Sequence, residues 1–526
     1  MKNLFTLALP VLVLVSCSQD RLGVDADDPL DSFTDKVDHE MIELGDKLDD
    51  PYSVDNVNSA ISSLYPTKAG RSDVTATDLY VRFLPSDDEQ LERLFNLGLE
   101  LVDHPVDYQI VREGDYYHDP EIPEDEITWQ YAVVNRDFVF PKDIRYEILD
   151  ECYISENDPS TKSDGLDWEA IEREAYRLTG NSGMLDATTK GSKAAPAGRI
   201  TIVDRDCNGG KPFGVAGVKV VCNSFVKFAT TYTDRDGYYQ MGKRYSSKVR
   251  YRLMFKNTKG FNIGFNLVLI PASISTLGKG SPEGKDVEVT EASDGALFRR
   301  CVVNNAAYDY ITRCEAGDMD IRMPPKDLRI WIFKGLSSSS AVMLHQVAVI
   351  DNLKILASYL DIYKTLLKLF APDITIGAKG KDYKALYNHV VHELAHASHF
   401  AQVGKDYWTK YVAYMGISFL TSGGTSYGTG VEKNAGYAEV GEMWAYFMES
   451  VMCQERYGGP IPSFGTSYWF YPQILRHLYE RGLARAEIFK ALDDNVNSRE
   501  ALHDRLVELY PDRKSLIDNA FVRYER

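Results

Sequence analysis

From Tyr383 to Val403 the chain runs without a glycine or a proline, and Gly404 follows at once. Such a stretch folds as helix and stops where glycine frees the backbone. Leu386, Val390, Leu394 and Ala397 form an apolar stripe along it, and His389, His392, His396 and His399 lie on the opposite side. The whole chain has only 10 histidines. Apolar packing alone does not call for four of them on one helix, so the fold must be built around a helix with a histidine face.

His392-Glu393-Leu394-Ala395-His396 separates two imidazoles by about one helical turn, so both can reach a single cation. Glu393 stands about 100° round the helix from His392. That places it beside such an ion, where it can take a proton from an activated water. A catalytic ion of this kind needs a third protein donor and an open position.

This HExxH segment resembles the zinc helix of the gluzincins, the thermolysin-like metallopeptidases. The metzincin pattern fails, because His399 stands where it requires glycine and Gln402 where it requires histidine. The resemblance implies Zn2+ as cofactor, peptide hydrolysis as activity, and a third ligand from a glutamate on a later helix. Glu442-x-x-Ala445 resembles the Glu-x-x-Ala pattern of that helix. Glu442 is therefore the expected ligand, with Glu439 in reserve. The family's aspartate after the alanine is replaced by Tyr446, which leaves the group that orients the zinc histidines unidentified. Glu439, Glu442 and Glu449 also share a face, and a solvated acidic stripe would have the same pattern. Tyr437 and Tyr446 are candidate donors to a developing oxyanion by their nearness in sequence. His389 is expected outside the ligand set. His399 reads as a group behind the site or, preferably, as a surface histidine. Residues 422–430 (SGGTSYGTG) read as a lid or as a plain connector.

The first 17 residues read as an export signal, with Lys2 ahead of the apolar run Leu4 to Val15, too short to span a bilayer. Leu14-Val15-Ser16-Cys17 resembles the bacterial lipobox, which implies lipidation of Cys17. Ser18 after it implies the outer membrane. The expected location is a bacterial outer-membrane lipoprotein, on the periplasmic or cell-surface side, touching the membrane through its lipid anchor only. A net charge of −18 with no Lys/Arg cluster excludes a nucleic-acid partner. The expected partner is a peptide or protein substrate, glycopeptides included. Of the later cysteines, Cys207 with Cys222 and Cys301 with Cys314 are the near pairs, and a chain of this length does not need them bridged.

The remaining pattern is that of a multidomain α+β protein. Residues 18–75 read as a flexible tether, 76–160 as a small α/β module and 161–196 as a helix with a linker. Residues 197–265 read as a β-sandwich and 266–526 as a mainly helical, zincin-like catalytic domain. Leu79 to Leu84 is strand-like, and Ser86-Asp87-Asp88-Glu89 is a helix-capping signature. Leu328 to Phe333 and Asp373 to Ile376 read as short strands. Gly217 to Val221 and Thr231 to Tyr239, with an Asp-Gly hairpin signal, resemble the carboxypeptidase regulatory-like, transthyretin-like sandwich. Asp204 to Gly209 copies the opening of a calcium loop, but Val215 replaces its closing glutamate, so a plain turn is expected. The architecture resembles Bacteroidetes-type lipoproteins of the zinc-metallopeptidase kind. Two further expectations follow: an inactive surface-binding protein with a vestigial zinc site as the rival function, and an N-terminal module that blocks the cleft as a pro-segment.

Overall fold

Alternating apolar residues make strands in the first half of the chain, and those strands join into sheets that cross the expected domain limits. The computed structural model describes residues 41–524 apart from 68–72, 115, 124–125, 163–164, 186–192, 265–273, 294, 335–336, 347–371, 422–426 and 461–467. The export signal and Cys17 lie outside the described residues.

The N-terminal module contains β1 (Glu43–Lys47), α1 (Val54–Leu64), β2 (Asp78–Leu84), α2 (Asp88–Asn96), β3 (Tyr108–Arg112), β4 (Gln130–Asn135), β5 (Arg145–Cys152) and α3 (Trp168–Leu178). Its sheet has the order β4-β2-β5, all antiparallel, and β1 pairs with β3. The tether expectation fails over the described residues 41–67. Ser53 caps α1 by accepting from Asn56 N, and Val57, Ala60 and Ile61 bury against Ile171 and Ala175 of α3. The helix expected in 161–196 is therefore part of this module. A cap starts α2, but one residue later than Ser86 to Glu89 implies: Asp87 accepts from Gln90 N at 2.8 Å, and Gln90 accepts from Ser86 N at 3.0 Å.

The middle of the chain supplies β6 (Ala197–Ile202), β7 (Phe213–Gly214), β8 (Val218–Ser224), β9 (Lys227–Tyr232), β10 (Tyr238–Gln240), β11 (Val249–Asn257), β12 (Phe261–Gly264), β13 (Ile274–Gly280), β14 (Val287–Val289), α4 (Gly295–Glu315), β15 (Leu328–Phe333) and β16 (Ile374–Gly377). A small sheet runs β10-β6-β14, with β7 on β6. A seven-stranded sheet runs β16-β15-β12-β11-β8-β9, with β13 on β11. β12 pairs in parallel with β15, so this sheet passes straight through the expected boundary at 265/266. The Asp236-Gly237 turn does not close a hairpin: β9 pairs with β8, while β10 pairs with β6 in the other sheet. Gly237 takes φ +84°, and a Cβ there would stand 2.1 Å from the Ile200 carbonyl oxygen.

The two faces of the large sheet are covered differently. Tyr251, Leu253 and Phe255 of β11 face the core that holds the C-terminal helices. Their neighbour Met254, with Val221 and Phe228, packs against Tyr52, Tyr80, Trp129 and Tyr131 of the N-terminal module. The module thus lies on the sheet face away from the helices rather than in a cleft between them, which is not the position of a blocking pro-segment. A buried network fastens it: Lys227 Nζ lies 2.7 Å from Glu156 and 3.2 Å from Glu172, and Lys193 lies 2.8 Å from Glu172.

The last part is helical: α5 (Tyr383–Thr421), α6 (Ala435–Tyr457), α7 (Gln473–Glu480), α8 (Arg485–Lys490), α9 (Arg499–Leu509) and α10 (Lys514–Val522). α5 breaks at Gly404, whose φ of 80° and ψ of −176° turn the second segment back over the first. The first segment is not half-solvated; its residues from Val390 to His399 are buried all round. α5 and α6 lie side by side, with the Trp444 indole N–H donating to the Ala395 carbonyl at 3.2 Å. At the far end of α6, Arg456 pairs with Asp204 at 3.0 Å and lies over the Tyr387 ring at 4.7 Å. Asp204, the first acid of the calcium-like loop, is an ion-pair partner inside that turn. The six cysteines among the described residues are all free. No helix among the described residues is long and apolar enough to cross a membrane.

Candidate metal centre

α5 carries His392, Glu393 and His396 on its first segment, and α6 brings Glu442 against them. The two Nε2 atoms stand 3.2 Å apart. His392 Nε2 lies 3.5 Å from Glu442 Oε2, and His396 Nε2 lies 3.4 Å from Glu442 Oε1. All three side chains are buried, and one ligand atom from each falls within 4.8 Å of the others. Buried acceptors converging this closely destabilise one another unless a positive charge stands among them. One proton can bridge only one pair of them, whereas a cation satisfies all. The group could hold a metal ion.

With no ion among them, the groups settle their charges against one another. Burial works against ionisation of Glu442, yet the adjoining His396 and His392 hold its carboxyl well below the usual range. Burial likewise opposes a proton on His392, but the Glu442 and Glu449 carboxylates outweigh it and lift the imidazole up to about 10. Burial pulls His396 down. Glu393 is pushed up to about 8 by burial, and its Oε2 has no hydrogen-bond partner among the described residues.

Glu449 supplies the support that the sequence left unidentified. Its Oε2 lies 3.0 Å from His392 Nδ1. Once an ion displaces the second proton of His392, a proton held on Nδ1 by this contact leaves the Nε2 lone pair for the metal side. Glu449 stands seven residues after Glu442, about two turns on, and so returns to the same face of α6. The acidic stripe is thus no solvated face: Glu442 is buried beside the histidines, and Glu449 is engaged from the side. Glu439 is turned elsewhere, accepting from the backbone N of Arg499 at 3.0 Å at the start of α9. The reserve ligand instead satisfies a backbone N–H in the first turn of α9.

The two tyrosine candidates separate. Tyr446, four residues after Glu442, stays on its face, and its ring lies 4.5 Å from that of His392. Its hydroxyl meets Tyr427 OH at 3.0 Å and Tyr468 OH at 3.2 Å. Tyr437, five residues before Glu442, falls on another side of the helix. Its hydroxyl accepts from Lys410 Nζ at 3.0 Å, and it does not join the site. His389 is outside the donor group, with Nδ1 2.9 Å from Ser339 Oγ. His399 is no surface histidine: it is fully buried against Tyr407 and Trp408, and burial lowers it to about 3. Of the glycine-rich loop, 422–426 lie outside the described residues, while Thr429 and Gly430 donate their backbone N–H groups to Glu432.

Two aromatic residues that the sequence did not mark complete the surroundings. Beyond the break at Gly404, Trp408 lies 5.8 Å and Tyr411 5.5 Å from the His396 ring, and Tyr411 OH donates to Glu442 Oε1 at 2.6 Å. The only sequence trace of this was the aromatic spacing of Tyr407, Trp408 and Tyr411 just after Gly404. No protein-family model matches the chain, and no curated protein is significantly similar to it.

Proposed function

We propose that this chain is a zinc-dependent peptidase, exported and anchored at the outer membrane through Cys17, with Glu393 as general base. The observation that carries the reading is the donor spacing. The two Nε2 atoms are 3.2 Å apart, Glu442 Oε2 is 3.5 Å from His392 Nε2, Glu442 Oε1 is 3.4 Å from His396 Nε2, and one donor atom from each residue lies within 4.8 Å of the others, the spacing of ligands around one small ion. Tetrahedral zinc with bonds of about 2.0–2.1 Å holds its ligand atoms about 3.3–3.4 Å apart. Two imidazoles with one carboxylate suit zinc better than magnesium or calcium. Three protein donors are also the complement of a catalytic rather than a structural zinc site.

A zinc ion held there supplies Lewis acidity, bringing the pKa of a water toward about 7 and polarising a carbonyl. The chain's own groups do the rest. Glu393 takes a proton from the attacking water at Oε2 and returns it to the leaving amine. Tyr446, its ring 4.5 Å from that of His392, is the candidate donor to the oxyanion, its hydroxyl proton turning from Tyr468 to the substrate. The substrate is a peptide or protein, glycopeptides included. The gluzincin-like HExxH and Glu-x-x-Ala patterns agree with this reading.

Glu393→Gln keeps the side-chain shape and removes the base. Peptide turnover is expected to fall by about 10²–10⁴-fold, with zinc content unchanged by metal analysis. Wild-type turnover in this variant, or a purified wild-type chain that takes up no zinc, would overturn the proposal.

A further inference from the structure

We infer that Tyr411 is a positioning residue of this centre: its phenol holds Oε1 of Glu442 and so presents Oε2 to the metal. The inference rests on reading His392, His396 and Glu442 as a metal centre, and it assigns a role to a residue on neither the HExxH segment nor α6.

The hydrogen bond is short, 2.6 Å from Tyr411 OH to Glu442 Oε1, and both side chains are buried. A phenol donating to a buried carboxylate is among the stronger hydrogen bonds, because burial weakens solvent competition for either end. Oε2 of the same carboxylate is also buried and has no hydrogen-bond partner among the described residues. Oε1 is therefore committed to Tyr411, with His396 Nε2 at 3.4 Å beside it, and Oε2, 3.5 Å from His392 Nε2, is the oxygen left for a cation. A carboxylate without this anchor could turn about its terminal bond, where the torsional wells are broad.

The phenol itself cannot swing away. Its ring stacks on Trp408 at 4.5 Å with 24° between the planes, and lies 5.5 Å from the His396 ring. Trp408 is fixed in turn, its indole N–H donating to the Ala341 carbonyl at 3.1 Å. On the side of α6, residue 441 is glycine, and a Cβ there would come 3.2 Å from the Tyr411 ring. The backbone break at Gly404 carries Trp408 and Tyr411 back over the first segment of α5. Glu449 does for His392 what Tyr411 does for Glu442, so two ligands are each braced by a group outside the donor set. The single hydroxyl proton of Tyr411 is spent on Glu442, which makes this residue a support for the ligand rather than a donor to substrate.

The test uses the full chain with zinc and, separately, with cobalt(II) as a spectroscopic probe. Tyr411→Phe keeps the stacked ring and removes only the donor. Zinc affinity, measured by competition with a chelator, is expected to drop about 10–100-fold, and the visible spectrum of the cobalt protein to shift as the carboxylate turns. A variant with 4-aminophenylalanine at 411 restores a donor at the same place and is expected to recover both. Unchanged affinity and an unchanged cobalt spectrum in Tyr411→Phe would overturn the inference, as would an amino variant as weak as the phenylalanine one. Glu442→Ala separates this outcome from failure of the site itself. Zinc lost in Glu442→Ala but retained in Tyr411→Phe removes only the role of Tyr411, whereas zinc binding unaffected in both removes the metal centre.

Discussion

Glu449 illustrates what a residue's neighbours add to its type. In sequence it is the third acid of a stripe; in the fold its carboxylate meets His392 Nδ1 at 3.0 Å and sets which nitrogen faces the ligand cluster. Glu449→Ala is expected to weaken zinc binding by about 10–100-fold while leaving the helices intact. Chelator competition with circular dichroism checks this, and undiminished affinity would contradict it. The HExxH histidines were legible because a one-turn spacing is a local property. Glu442 was legible because its helix carries a recognisable short pattern. Glu449 and Tyr411 were not, because their meaning lies in which element packs across from them. Tyr437 and Tyr446 looked equivalent in sequence, yet about 140° of helical rotation from Glu442 for the first against about 40° for the second places only Tyr446 beside His392.

At the scale of elements, the break in α5 carries the most weight. Gly404 combines φ 80° with ψ −176°, a region that only glycine occupies without strain. No neighbouring atom lies within 4 Å of a Cβ built there, so the cost of a side chain is purely conformational. Gly404→Ala is expected to lose about 1–3 kcal/mol in chemical unfolding and to loosen Trp408 and Tyr411 from His396. A variant as stable as the parent would show that the break relaxes cheaply. The glycine was legible as a helix stop, but the return of the next segment was not, since a stop signal carries no direction. The strand Leu328–Phe333 fell where alternation placed it. The Asp236-Gly237 hairpin failed for the opposite reason: the turn chemistry was right, but pairing is decided by which sheet edge receives the next strand.

Across the whole molecule, the N-terminal module is held to the large sheet by apolar packing and by the Lys227 network. Burial opposes the charge on Glu156, but Lys227 and Lys193 bring its carboxyl from 4.5 down to about 2, and Glu172 is lowered by the same two lysines against a still larger burial penalty. A folded-state value below the unfolded one contributes stability that is present above 4.5 and fades as the pH falls toward about 2. Lys227→Met leaves Glu172 buried with only Lys193 and is expected to cost about 3 kcal/mol near neutrality, with less of that difference surviving in acid. Urea unfolding at both pH values checks the sign, and a gap that widens on acidification would refute it. The fold class was legible from the succession of strand and helix patterns, and the module on the far face was not. Nothing in its own alternation says which side of a distant sheet it will cover.

β12 and β15 belong to stretches that sequence reading assigned to different domains, yet they share one backbone ladder. Truncation at 265/266 would leave each half with a raw strand edge, β15 and β16 stranded on one side and β12 on the other. Neither portion could then be borrowed, swapped or grafted as a self-sufficient cassette. Any trimmed version of this chain must keep β8, β11 and β12, because they continue the sheet whose strand β16 packs against the histidine helix.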